Sequence, residues 1–78
     1  MATYQEIVAG EIRAEMARQR RSQEDVALTL GWTQQYLSRR LTGLTALSTD
    51  DIEAIARALG APLGNFVAPA ARASETAS

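Results

Sequence analysis

An all-α domain of five helices is what this sequence predicts, and three observations carry the prediction. Apolar residues recur at three- and four-residue intervals, as they do along one face of a helix. Three of these stretches are opened by Ser or Thr and closed by Gly, the usual punctuation of helix ends. No stretch alternates apolar and polar residues as a half-buried strand would. The chain has 78 residues, the size of one small domain.

The first helix is expected over about residues 4–19, where Val8, Ile12 and Met16 repeat every fourth position and Tyr4 extends the stripe. Arginines gather at its far end, where they complement the helix dipole. Ser22 is an N-cap for the second helix, with Asp25 three residues on. Val26, Ala27 and Leu30 form its inner face, and Gly31 supplies the left-handed residue that ends it. Thr33 caps the third helix, Trp32 and Leu37 have the spacing of a hydrophobic staple, and Leu37 and Leu41 mark its inner side before Gly43. Leu44 and Leu47 are expected to plug the core from the connecting loop. Ser48 caps the fourth helix, with Asp50 and Asp51 in its first turn and Ile52, Ile55, Ala56 and Leu59 on one face. Gly60 stops it. Pro62 suits the start of a short fifth helix carrying Leu63, Phe66 and Val67. The remainder, residues 68–78, has no bulky apolar side chain and is expected to be a disordered tail to a domain of residues 1–67.

Composition narrows the function. Cysteine and histidine are both absent, so disulfides and thiol chemistry are excluded, and a zinc site would have to be made of carboxylates alone. There is no glycine-rich phosphate loop, and Asp50 and Asp51 are explained by charge complementarity at a helix N-terminus, so no enzyme and no cofactor are expected. No apolar run has the length of a membrane helix, and the first residues lack a basic segment followed by an apolar block, so neither a membrane span nor a signal peptide is expected. The formal net charge is −1, but it is unevenly spread. Residues 13–40 hold six arginines against Glu15, Glu24 and Asp25, a local charge of +3, whereas residues 1–12 and 41–78 carry −2 each. Contact with phosphates is governed by the local charge.

The basic segment also carries the most specific pattern. Residues 22–43 read as two short helices joined by a tight turn at Gly31, and the second opens with Gln34 and Gln35, followed by Arg39 one turn later. Glutamine can bond adenine N6 and N7, and arginine guanine O6 and N7, so these three are the candidate base readers in a major groove.

Gln23 at the start of the second helix, small Ala27, Gly31, apolar Trp32 and Leu37, the run Thr33-Gln34-Gln35, the run Leu37-Ser38-Arg39-Arg40-Leu41-Thr42-Gly43 and the ending Ala58-Leu59-Gly60-Ala61-Pro62-Leu63 fall together in register. With them, the chain resembles the Cro/phage-repressor, or xenobiotic-response-type, helix-turn-helix family over about residues 4–67, and is similar to small regulators from actinobacteria and their phages. The resemblance implies a lambda-repressor-like domain, sequence-specific binding of a double-stranded DNA operator by a helix at about residues 33–43, and transcription regulation by a Cro- or repressor-like protein in the cytoplasm. It implies flanking or backbone contacts from Gln23, Thr33, Tyr36, Ser38, Arg40, Thr42 and Thr45. It also implies a homodimer, for which Leu63, Phe66 and Val67 are candidates, although the same three residues can simply close the core. Arg21 and Arg40 stand where the family is usually apolar. Their stems can cover the core with the heads outward, or Arg40 can turn toward DNA. Met16 and Leu41 stand where some members pair an arginine with a glutamate, an ion pair replaced by an apolar contact. An antitoxin that also autoregulates, and an adaptor that binds protein without DNA, stay open as alternatives.

Overall fold

The computed structural model describes residues 2–77; Met1 and Ser78, the outermost positions of the expected domain and tail, lie outside the described residues. Five helices follow in order: α1 (Tyr4–Arg18), α2 (Gln23–Leu30), α3 (Gln34–Leu41), α4 (Thr49–Leu59) and α5 (Gly64–Ala77). No strand occurs among the described residues.

Local chemistry sets the helix ends. Ser22, Thr33 and Ser48 each accept a hydrogen bond from the N–H three residues on, and Ser48 with Asp51 closes a reciprocal capping box. Thr3 and Glu6 form a second capping box at the start of α1. Each satisfies donors that the first helical turn leaves unpaired. Gly31, with φ +72°, ends α2, and the N–H of Trp32 returns to the Ala27 carbonyl. The same closure ends α1, where Arg21 N–H bonds the Met16 carbonyl and Arg20 N–H that of Ala17. There the left-handed position is held by Arg20, at φ +55°, without glycine's freedom.

Val8, Ile12, Val26, Leu37, Leu41, Ile55 and Phe66 have no exposed surface and form the centre of the core. Met16 and Leu41 are both buried. α1 packs chiefly along α5, and α2 against both α3 and α4. Long side chains from the first third of the chain satisfy carbonyls at the ends of other helices. Arg13 donates to the Leu41 carbonyl, Gln19 to that of Leu59 at 2.7 Å and Arg21 to that of Ala58 at 2.7 Å. Three members of the basic segment are thus partly occupied by structure: Arg13 and Arg21 at helix ends, and Arg18 with Glu15 at 2.8 Å.

Three expectations are corrected. The stretch from residue 68 is not a disordered tail, because α5 runs through Pro69 to Ala77. Phe66 and Ala70, one turn apart and both fully buried, hold the chain in helix across the proline, and the alanines beyond favour its continuation. Leu44 does not plug the core: it is 80% exposed, whereas Leu47 is buried. The loop is pinned at Leu47 by the Gln5 amide, which donates to the Leu47 carbonyl at 3.0 Å and accepts its N–H at 2.7 Å. Phe66 is wholly inside the monomer, closed to a dimer partner, and Val67 packs against the core; of the three candidates Leu63, 38% exposed, is the most accessible.

Candidate nucleic-acid interface

α3 is a helix of eight residues with two very different sides. Leu37 and Leu41 fasten its inner side to the core. Its N-terminus is fixed by Thr33, whose hydroxyl accepts the Tyr36 N–H at 3.0 Å. Its C-terminus is fixed by Thr42, whose hydroxyl donates to the Ser38 carbonyl at 2.8 Å, and by the Thr45 N–H on the Arg39 carbonyl at 3.1 Å. Thr33 and Thr42, expected as flanking contacts, therefore use their hydroxyls in holding the helix.

Gln34, Gln35 and Arg39 are exposed, and with half-buried Ser38 and exposed Leu44 they line one open groove. Their side-chain polar groups have no partner among the described residues. Helical spacing explains the convergence, since Gln35 and Arg39 are one turn apart and Gln34 lies beside Ser38 on the adjoining row. An amide and a guanidinium presented this way offer donors and acceptors matched to purine edges. Gln23 is half-buried in the first turn of α2, where free backbone N–H groups favour an anion and the adjacent Glu24 and Asp25 oppose one. Thr45 is half-buried in the loop after α3.

The flank of α3 facing α4 is closed. Trp32 and Tyr36 meet edge to face with centroids 4.7 Å apart, and the Arg40 guanidinium lies 3.5 Å from the centre of the Tyr36 ring. Arg40 Nε donates to Asp51 Oδ2 at 3.1 Å, and its Nη1 to the Tyr36 carbonyl at 3.2 Å. Arg40, expected as a flanking contact, therefore has its guanidinium engaged within the protein. Both partners of the ion pair are mostly buried, and the guanidinium is spent on joining α3 to the cap of α4. The same Asp51 oxygen accepts the Ser48 N–H at 3.0 Å. Burial pushes the Asp51 carboxyl up, but the Ser48 N–H and the Arg40 guanidinium outweigh it and hold the group below its ordinary 3.8. Tyr36, between Trp32 and Arg40, stays exposed at 39%.

The sequence did not reveal the Arg40–Asp51 pair or the placement of Leu44. Asp51 is legible as a cap residue, but nothing local ties it to a position eleven residues earlier. No group of three or more His, Cys, Asp or Glu side chains able to hold a metal occurs among the described residues, and no described helix is long and apolar enough to cross a membrane.

The comparisons with known proteins bear on the family and the fold. The helix-turn-helix family model matches residues 12–66. Among solved structures, the chain is similar to the clp gene regulator ClgR from C. glutamicum, with a TM-score of 0.84 over 94% of this chain and 95% of that one. At 20% identity, that likeness establishes the fold. No curated protein matches the sequence.

Proposed function

Because this chain belongs to the helix-turn-helix family, a membership that supports a DNA-binding transcription regulator, we propose that it is a sequence-specific reader of double-stranded DNA that inserts α3 in the major groove of an operator. The observation that carries this reading is the contrast between the two sides of α3. Leu37, Leu41, Arg40 and the two helix ends are fastened to the protein, while Gln34, Gln35 and Arg39 stand exposed and unpaired in a common groove. A rigid helix fixes the backbone from which these side chains reach bases, so binding orders the side chains alone.

In this reading Gln34 and Arg39 make bidentate contacts to adenine and guanine, and Gln35 reads or supports. Gln23 holds a backbone phosphate at the start of α2, and Ser38, Thr45 and the free edge of Tyr36 contact the flanks. One module spans few base pairs, so a homodimer reads two half-sites roughly 34 Å apart, one helical turn. Leu63 contributes to the contact between copies, and the protein represses by occluding a promoter in the manner of Cro. It has no catalytic role.

Selection of bound sequences from a random duplex pool tests this. A symmetric consensus with adenine and guanine positions lost on Gln34→Ala and Arg39→Ala supports both the reading helix and the dimer. Enrichment of no sequence overturns the function, and an asymmetric single site overturns the dimer.

A further inference from the structure

The groove beside α3 contains one residue that hydrogen bonding to bases does not use. Leu44 is 80% exposed yet lines the same groove as Gln34, Gln35, Ser38 and Arg39. Single exposed leucines are common and need no explanation by themselves. This one is held in place. Gly43 turns the chain at φ +88° immediately before it, and the Thr45 N–H immediately after it is bonded to the Arg39 carbonyl at 3.1 Å. Leu47 then enters the core, clamped by Gln5. The loop is therefore anchored on both sides of Leu44, and the side chain is presented next to Arg39 rather than left on a loose tip.

We infer that Leu44 is a fourth specificity-determining residue, which packs on the C5-methyl group of a thymine adjoining the base pair read by Arg39. The inference rests on the proposed DNA-reading function and deepens it. In the major groove the thymine methyl is the only apolar group on a base edge, so it is the feature an aliphatic side chain can select. The neighbouring guanidinium favours the polyanion over an apolar protein surface as the occupant of this groove.

The test removes the methyl group alone. In the duplex selected by the full-length protein, each thymine is replaced in turn by deoxyuridine, and binding is measured for the wild type and for Leu44→Ala. Leu44 is exposed, so the variant folds. The wild type should weaken about threefold to fourfold at one thymine per half-site, the loss expected for one apolar carbon returned to water. Leu44→Ala should bind the thymine duplex more weakly by a similar factor and be indifferent to uracil at that position. The inference is overturned if no thymine is sensitive or if Leu44→Ala keeps the same sensitivity. It is also overturned if Leu44→Ala changes the oligomeric state without DNA, which would mark the leucine as a contact between copies. Specific binding with an intact Arg39 requirement then leaves the function standing, whereas absence of any selected duplex removes both.

Discussion

Replacing Asp51 by alanine removes two supports of α3 and α4 at once. The carboxylate completes the capping box of α4 through the Ser48 N–H, and it is the partner of the Arg40 guanidinium. Loss of a capping side chain costs about 1 kcal/mol. Breaking a fully buried pair costs about 3–5 kcal/mol because the surviving charge is stranded. Arg40 keeps the Tyr36 ring and carbonyl and retains 15% side-chain exposure, so a smaller share applies here, about 1–2 kcal/mol. The total is about 2–3 kcal/mol, or a Tm lower by roughly 10–20 °C for a domain of this size. Arg40→Met leaves the Asp51 carboxylate with the Ser48 N–H and should cost about 1–2 kcal/mol, with a coupling between the two sites of about 1–2 kcal/mol in a double-mutant cycle. Urea and thermal denaturation followed by circular dichroism measure all four proteins. Costs that add to within about 0.3 kcal/mol would refute the coupling. The pH dependence gives a second reading. Because the folded carboxyl lies below its ordinary 3.8, its contribution is complete above that value and is lost as pH falls through the lower folded value. The difference between wild type and Asp51→Ala should be flat from about pH 5 to 8 and shrink below about pH 4.

Gln5→Ala should destabilise by about 1–2 kcal/mol in the same assays, because it abandons both backbone groups of buried Leu47; a neutral effect would show that the clamp is dispensable. Arg20→Gly should stabilise by about 1 kcal/mol, since it relieves a left-handed backbone that a side chain disfavours. A loss of stability would contradict that assignment. Met16→Arg should cost more than about 3 kcal/mol, since it places an unpaired charge in the core beside no acidic partner, Leu41 occupying the matching position; wild-type stability in this variant would show that the site is wetter than its burial indicates.

Much of the architecture was written locally and could be read there. Ser22, Thr33 and Ser48 cap helices as expected, Ser22 and Ser48 with Asp25 and Asp51 three residues on, and Gly31 and Gly60 end them, because these interactions involve residues within one turn. The exposed trio of Gln34, Gln35 and Arg39 was legible for the same reason. What escaped was decided by distant partners. Leu44 and Leu47 are equivalent by hydrophobicity, and the choice between them is made by Gln5, forty-two residues from Leu47. Arg40 carried the charge and length of a DNA contact, and nothing local indicated that Asp51, eleven residues on, pairs with it. The alanine-rich end of the chain looked too poor in bulk to order itself, yet Ala70 needs only to lie flat against the core for α5 to continue.

In the proposed function α3 reads bases through a few free side chains on a helix fastened at both ends. Binding of wild type and Arg39→Ala to all four base pairs at each position of the selected duplex tests it most directly. The variant should lose about 1–3 kcal/mol of discrimination at one base pair per half-site and keep its preferences elsewhere. A uniform loss across cognate and scrambled duplexes would contradict it.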